Sequence, residues 1–320
     1  MARFRRKRLF NKTLIIRPLR KDLIAYLALA AICLIWGTTY LALRIGVLAF
    51  PPFLFVAIRQ LIAGSILAAY AFVLGKASLP SRENLIRQAI AGFFMISLGN
   101  GLVAWAEVLV PSGVAAIICS MVPMMVIVIN LFISSEERPT PLIILGVSIG
   151  MVGIVMIFSD QVTAFAQRDY LIGILLIFAA MMSWAAGSVW LKKRNTEGNV
   201  FLNAALQMFF GGLWMVPFSL GFDDYSNVQW TPDALYAMLY LIIFGSVIAY
   251  ACYSYALRAL PMTIVSLYAY VNPVVAVLLG WMILDEQFSA LMVAAIIVTI
   301  AGIYVVNRGY YRRKVLRAQY

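Results

Sequence analysis

The sequence predicts an all-α integral membrane protein whose ten transmembrane helices form two oppositely oriented repeats of five. Composition is the first observation behind this prediction: 64% of the 320 residues are hydrophobic, 12% are charged, and the mean hydropathy is +0.94. A soluble domain is nearer a quarter charged. The second observation is a set of ten continuous apolar runs. The third is a pattern that recurs after 150 residues.

Each apolar run is close to the ~20 residues that cross the bilayer as a helix. The runs are continuous rather than alternating, which favours helices because a helix satisfies its own backbone groups in lipid. In order they are Leu23–Leu43, Phe53–Leu74, Gln88–Val108, Val114–Ile133, Pro141–Ser159, Leu171–Leu191, Val200–Leu220, Ala234–Leu257, Met262–Leu284 and Ser289–Asn307. We therefore expect a basic tail at 1–22, a first repeat at 23–159, a second repeat at 171–307 and a basic tail at 308–320.

The internal repeat is carried by residues at a constant spacing. Pro111 corresponds to Pro261, Pro123 to Pro273 and the Glu at 136 to the Glu at 286. Self-similarity of this kind identifies a repeat architecture. Because each half holds five spans, an odd number, the halves must point in opposite directions. Inverted repeats are common in secondary transporters, with a site near the midplane between the halves.

The positive charge of the chain is distributed unevenly between the two sides of the predicted membrane. Of the 25 Lys and Arg residues, 22 lie in the tails and in the loops after spans two, four, six and eight. Arg44 and Arg168 are on the other side, and Arg59 lies inside span two. Cytoplasmic loops carry the excess of basic residues. We therefore expect both termini to be cytoplasmic, the bilayer to surround the spans, and no nucleic-acid partner. The basic tails are interpreted as solvated topology signals, with contact to anionic lipid as the alternative.

Several function classes are excluded or disfavoured by residues that the sequence lacks. The chain has no His, and its cysteines, Cys33, Cys119 and Cys252, lie singly in apolar runs. This argues against zinc sites and His-dependent catalytic triads. No GxxxxGK[ST] motif is present, which disfavours an ATP-driven pump. We expect no enzymatic activity, no cofactor and no metal site.

Two charged residues stand out inside the predicted spans, where charges are costly and usually functional. Arg59 lies about 9 Å, and Glu107 about 6 Å, below the same external face at 1.5 Å per residue. At matching depths they could pair across a helix gap, or each could extend to the outer interface. Glu107 lies near the external edge rather than the midplane, which weakens it as a proton carrier reached from both sides.

Polar side chains at helical spacing follow spans three and eight. Asn100 and Glu107 belong to the first stripe, and Tyr250 and Tyr253 to the second. Asn100 corresponds to Tyr250 in the repeat, while Glu107 corresponds to Leu257 and so has no acidic twin. These stripes predict a cavity with two polar walls. Interhelical hydrogen bonding is the alternative explanation.

Prolines interrupt spans four and nine at equivalent places. Pro123 and Pro273 each remove one backbone hydrogen bond, and Tyr270 and Asn272 lie beside the second. Matching interruptions in both halves indicate a transport site, although a kink for packing alone is also possible. Four tyrosines near spans eight and nine favour an amphipathic or aromatic solute, or else line helix contacts: Tyr250, Tyr253, Tyr268 and Tyr270.

Tryptophans occupy corresponding places in spans one and six. Trp36 and Trp184 are 148 residues apart, and each is followed by small residues. A buried indole N–H needs a partner, so both cavity lining and core packing are open for these two side chains. Trp105 and Trp230 lie near a membrane edge, where tryptophan commonly anchors a helix at the interface.

With these residues identified, the chain resembles the EamA family of the drug/metabolite transporter superfamily. The similarity extends from Leu23 to Asn307 and is carried by LIWGTTYLALRIGV, PPFLFVAIRQLIAG and NGLVAWAEVLVPSGVAAIICSMVP. It implies ten helices in two inverted units, a central cavity, a bacterial inner-membrane location and gradient-driven transport of a small solute. The family's motif positions correspond here to Trp36, Arg59, Trp105, Glu107 and Pro123.

The resemblance and the residues together predict a secondary transporter that exports a small metabolite, an amino acid or an amphipathic solute by alternating access, with proton coupling through Glu107 as a further hypothesis. A passive channel or facilitator is the alternative. The sequence leaves both a monomer and a homodimer open. Candidate substrate-binding or gating residues are Trp36, Arg59, Asn100, Trp105, Glu107, Pro123, Trp184, Tyr250, Tyr253, Tyr270, Asn272 and Pro273.

Overall fold

A computed structural model describes residues 18–122, 124–125, 129, 140–160, 167–192, 198–226, 228–260, 265, 268–285, 287 and 289–318. Helices dominate these ranges. They are α1 (Pro18–Ala49), α2 (Pro52–Val73), α3 (Arg82–Leu109), α4 (Ser112–Cys119), α5 (Pro141–Asp160), α6 (Arg168–Lys192), α7 (Val200–Phe222), α8 (232–259), α9 (Tyr268–Leu284) and α10 (Ala290–Ala318). Both α3 and α8 contain an internal π-helical segment, Gly92–Asn100 and Leu241–Ile248 respectively.

The helices have the length and composition of membrane spans. Within the described residues, six are long and apolar enough to cross a bilayer, namely α1, α2, α3, α6, α7 and α8. Shorter apolar helices lie at Pro141–Gly153, Val271–Leu284 and Ala290–Val306. Much of the predicted fourth span, including Pro123, lies outside the described residues. The all-helical class is confirmed, while ten complete crossings stay a prediction.

Helix starts follow from capping residues that the predicted spans did not include. Ser81 accepts a hydrogen bond from the Asn84 amide, so α3 begins at Arg82 rather than at Gln88. Thr231 caps the first turn of α8, where Pro232 has no N–H to satisfy. These polar first turns extend the helices beyond their apolar runs because the cap oxygens accept backbone N–H groups that have no partner within the helix.

The second helices of the two halves pack against each other in antiparallel fashion. Gly64 of α2 contacts the backbone of Phe209 in α7, and Gly212 of α7 contacts the backbone of Leu61. The fifth helices do the same, since Gly146 and Gly150 of α5 contact α10 near Gly302. Antiparallel packing of equivalent helices is the arrangement that an inverted repeat requires.

The remaining helices form the centre of the molecule. Helix α1 packs against α8 and α9, whereas α6 packs against α3 and α4. The first helix of each half therefore lies against the third and fourth helices of the other half. This arrangement brings side chains from both halves to one central space.

Candidate functional site

A central cavity of about 160 Å³ lies between the two halves. Its lining includes side chains from α1, α2, α3, α4, α6, α8 and α9. Seven of the predicted site residues line it: Trp36, Arg59, Asn100, Trp184, Tyr250, Asn272 and Pro273. The matched pairs Trp36/Trp184 and Asn100/Tyr250 thus meet at the same cavity from opposite halves.

Trp36 connects α1 to α8 at one wall of the cavity. Its indole N–H donates to the carbonyl oxygen of Gly245, with 3.2 Å between the heavy atoms. Its ring lies against Tyr250, Tyr253 and Tyr268, with ring centroids 5.8, 5.2 and 4.9 Å away. The predicted need for an indole partner is therefore met by a backbone carbonyl, and the ring has both a packing and a cavity-lining role.

The π-helical segments are a feature that sequence reasoning did not find. Gly92–Asn100 in α3 and Leu241–Ile248 in α8 occupy equivalent places in the two halves. A neighbouring helix donates to a carbonyl in each: Trp36 of α1 to Gly245, and Ser183 of α6 to Phe94 at 2.8 Å. Such segments are rare and are often found at functional sites. The glycines of the two segments do not correspond at the 150-residue spacing, so the repeat offered no signal for these segments.

Two glycines of these segments allow the tryptophan helices to approach closely. A Cβ atom on Gly99 would lie 2.9 Å from the Trp184 ring, and one on Gly245 would lie 2.9 Å from a methyl carbon of Thr39. Both glycines also line the cavity. The backbone of each π segment is consequently part of the cavity wall, where its polar groups can meet a solute.

Arg59 reaches the cavity from α2 and is almost fully buried. Its Nε donates to the Ser246 hydroxyl at 3.0 Å, which links α2 to the π segment of α8. Tyr250, one turn after Ser246, lines the same cavity as Arg59. The predicted alternative, in which Arg59 extends to the outer interface, does not describe this geometry.

Glu107 is fully buried on α3 and is not among the residues that line the cavity. It lies within electrostatic reach of Arg59, Tyr40 and Cys119. Tyr40 and Cys119 interact with each other and both line the cavity. The carboxylate is therefore placed behind the wall formed by these two side chains.

Pro273 lies inside α9, where the missing N–H frees the carbonyl of Ala269, a residue that lines the cavity. In the orientation that satisfies its amide, Asn272 donates to the carbonyl oxygens of Cys33 at 3.0 Å and Tyr268 at 2.9 Å. Asn272 thus joins α9 to α1 beside the interruption. Pro273 and Asn272 both line the cavity, and a role of this interruption in transport stays a prediction.

The other predicted site residues occupy different surroundings. Trp105 is partly buried in an aromatic cluster with Phe53 and Phe222, at centroid distances of 5.6 and 6.0 Å, outside the cavity lining. Tyr253 contacts Trp36 without lining the cavity. Pro123 and the side chain of Tyr270 lie outside the described residues.

Tyr40 and Cys119 are cavity residues that the sequence reasoning did not select. Cys119 lies singly in an apolar run of the sequence, and Tyr40 follows Trp36 by one helical turn. That spacing was a usable signal, because residues four apart share a helix face. For Cys119 the sequence offered no comparable signal.

Comparison with known proteins gives concordant results. The chain is 33% identical over 285 residues to the inner membrane transporter YedA of Escherichia coli strain K12, covering 89% of this chain and 90% of that protein. It is 25% identical over 289 residues to the transporter YoaV of Bacillus subtilis strain 168, covering 90% and 98%. It is 29% identical over 275 residues to the protein PecM of Dickeya dadantii strain 3937, covering 85% and 89%.

A solved crystal structure has the same fold, with a TM-score of 0.64 at 20% identity over 90% of this chain and 97% of that chain. A model of the EamA-like transporter family matches the chain twice, over residues 23–159 and 171–308. Because the two matches together cover most of the sequence, the protein belongs to the EamA-like transporter family.

Proposed function

We propose that the protein is a secondary active transporter that exports a small metabolite or an amino acid across the bacterial inner membrane by alternating access. The observation that carries this proposal is the central cavity lined from both halves. At about 160 Å³ it is smaller than the ~300 Å³ at which sites for drug-sized ligands begin. This size favours a solute of amino-acid dimensions.

Two apolar contact regions on either side of the cavity support alternating access. One joins α1 to α8 and includes Leu29, Ile32 and Leu260. The other joins α3, α4 and α6 and includes Val114 and Ile174. In the predicted orientation they lie toward the cytoplasmic and the external side respectively. Opening one while the other stays closed would expose the cavity to one side at a time.

The proposal includes the topology that the sequence predicts. Each half, 23–159 and 171–307, forms one five-helix repeat, and the basic tails at 1–22 and 308–320 are cytoplasmic. The inner-membrane location agrees with the description of the relative YedA as an inner membrane transporter. Rocking of the two halves about the cavity would then exchange its access between the cytoplasm and the outside.

A counterflow assay in proteoliposomes tests the proposal against a passive channel. Purified protein is reconstituted with unlabelled solute inside, and labelled solute is added outside, across amino acids and small metabolites. A carrier accumulates label transiently because internal solute accelerates exchange. Leakage without such acceleration would favour the channel or facilitator.

Proton coupling through Glu107 is a separate element of the proposal. The carboxylate is buried beside Tyr40 of α1, Arg59 of α2 and Cys119 of α4, so its charge state affects groups that line the cavity. We expect Glu107→Gln to retain counterflow but lose accumulation driven by a pH gradient. Glu83→Gln, at an exposed carboxylate, is the matched control. An unchanged pH dependence in Glu107→Gln would contradict the coupling role.

A gating contact between Arg59 and Glu107 is the alternative role for this carboxylate. The double variant Arg59→Glu with Glu107→Arg exchanges the two charges. Recovery of counterflow relative to the single variants would support a pair that forms during the transport cycle. A double variant as inactive as either single variant would argue against it.

A further inference from the structure

We propose that the transported solute carries a carboxylate, which binds in the central cavity between the Arg59 guanidinium and the Tyr250 hydroxyl. This inference rests on the proposed transport function and adds the chemical class of its substrate. It follows from the charge of the cavity wall, from the geometry of Arg59 and from the state of the Tyr250 hydroxyl.

The cavity wall is electrostatically one-sided. Among the described residues that line it, Arg59 carries the only formal charge. Glu107 lies within electrostatic reach of Arg59 but does not line the cavity. A solute in the cavity therefore contacts the cation directly and the carboxylate of Glu107 does not touch it. In a site of low dielectric constant a cation in direct contact attracts an anionic group. Contact with Arg59 thus favours a solute whose polar end is negative.

The Arg59 side chain is held in a position suited to that task. The hydrogen bond from its Nε to Ser246 fixes the guanidinium plane. Its Nη2 lies beside Gly245, 3.5 Å from the position that a Cβ atom on this glycine would occupy. Both Gly245 and Arg59 line the cavity. The terminal nitrogens of a fixed guanidinium match the two oxygens of a carboxylate.

The Tyr250 hydroxyl supplies a second donor. Tyr250 is 8% exposed, and within the described structure its hydroxyl has no hydrogen-bond partner. Buried hydroxyl groups are nearly always hydrogen-bonded, and one without a protein partner calls for an explanation such as a ligand or a water. Tyr250 follows Ser246, the hydrogen-bond partner of Arg59, by one helical turn, and both Tyr250 and Arg59 line the cavity. A carboxylate bound to Arg59 would therefore also be within reach of the Tyr250 hydroxyl.

The rest of the lining suits an apolar body attached to this anionic end. Trp36, Trp184, Tyr268 and Met181 provide aromatic and thioether surface around the same cavity. Such surface binds the apolar part of a solute by removing it from water. The class that fits both ends is a small amphiphilic carboxylate, such as an amino acid with an apolar side chain.

Matched acids and amides test this inference. The panel pairs amino, keto and aromatic acids with their amides, for example L-phenylalanine with L-phenylalaninamide and 3-phenylpropionate with 3-phenylpropionamide. Each compound is tested for binding by thermal stabilisation of the purified protein, and for counterflow in proteoliposomes. We expect acids to bind with about tenfold or higher affinity than their amides and to exchange correspondingly faster, since a charge-assisted hydrogen bond contributes about this factor to binding.

Two variants test whether Arg59 and Tyr250 cause the preference for acids over amides. Arg59→Gln is expected to remove the preference for acids over amides, and Tyr250→Phe to weaken acid binding about 2- to 10-fold by removing one neutral donor. Arg308→Gln and Tyr304→Phe, at exposed positions on α10, are the matched controls and should behave as the unmodified protein. If Arg59→Gln does not fold, the acid–amide pairs and Tyr250→Phe still decide the question.

The outcomes separate this inference from the proposed function. Equal binding and exchange of amides and acids would overturn the inference while leaving a carrier. Acid-selective binding that depends on Arg59 and Tyr250, without counterflow, would support the inference and contradict the transport proposal. Stabilisation by no acid in the panel, or an effect that Tyr250→Phe leaves unchanged, would overturn the inference.

Discussion

At the scale of single residues, Trp36 makes the most connections in the site. Its indole N–H binds a carbonyl of the α8 π segment, its ring contacts three tyrosines, and it lines the cavity. A buried carbonyl and a buried N–H are thereby satisfied by each other. A movement of α1 relative to α8 would change this contact, so Trp36 couples the packing of the two helices to the proposed transport cycle.

We expect Trp36→Phe to fold but to lower the rate of counterflow several-fold. Phenylalanine retains an aromatic ring but cannot donate to Gly245, and losing a hydrogen bond at a buried carbonyl costs about 1–3 kcal/mol. Trp281→Phe, at an exposed position on α9, is the control because it changes the same side chain outside the cavity. Wild-type counterflow by Trp36→Phe would show that the N–H contact is dispensable.

At the scale of helices, glycines set how closely the peripheral pairs approach. A Cβ on Gly302 of α10 would lie 2.4 Å from the backbone nitrogen of Gly150 in α5 and 2.8 Å from the carbonyl oxygen of Gly146. Gly146 and Gly150 form a GxxxG pattern in α5, which is typical of close helix packing, and the two backbones do meet there. Because both neighbours are backbone atoms, neither can move aside as a flexible side chain would.

Gly302→Ala should therefore destabilise the protein even though alanine favours helices. Overpacking costs about 1–3 kcal/mol, whereas replacing a helical glycine gains about 0.5–1 kcal/mol. Gly221→Ala is the matched control on α7, where a Cβ meets nothing within 4 Å. Thermal unfolding in detergent should give a lower midpoint for Gly302→Ala and an equal or higher one for Gly221→Ala. Equal midpoints for Gly302→Ala and the unmodified protein would mean that α5 and α10 can separate without cost.

At the scale of the whole molecule, the antiparallel pair of α2 and α7 joins the two halves at both ends. The Asp223 carboxylate at the end of α7 accepts hydrogen bonds from the backbone amides of Phe53 and Leu54 at the start of α2. At the opposite end, Asn199 donates to the carbonyl oxygen of Gly75. A carboxylate at a helix N-terminus is also favoured by the helix dipole. These contacts hold equivalent helices in opposite directions.

Cysteine labelling measures the topology that this pairing implies. Leu79 and Asp224 are exposed residues in the loops at opposite ends of the α2–α7 pair. In a background without Cys33, Cys119 and Cys252, we expect Asp224→Cys to react with a membrane-impermeant maleimide in intact cells. Leu79→Cys should react only after permeabilisation. Labelling of both from the same side would contradict the inverted arrangement of the halves.

The sequence by itself determined the helical class, the two matching halves and seven of the residues that line the cavity. Those properties follow from apolar runs, from spacing along the chain and from costly residues such as Arg59 and Pro273, all of which are local signals. Trp36, Trp184 and Asn100 were found because each has a counterpart in the other half at nearly constant spacing.

Tertiary structure alone decided which faces of the helices meet at the centre. It placed Glu107 behind the cavity wall, Trp105 in an aromatic cluster, and Tyr40 and Cys119 at the cavity. A helix that is apolar all round carries little periodic signal for its inward face. Moreover, a π-helical segment shifts the position around the helix axis of every residue that follows it. Spacing along the sequence alone therefore gives the wrong direction for those side chains. The cavity is formed by helices distant in sequence, and its lining is set by their packing.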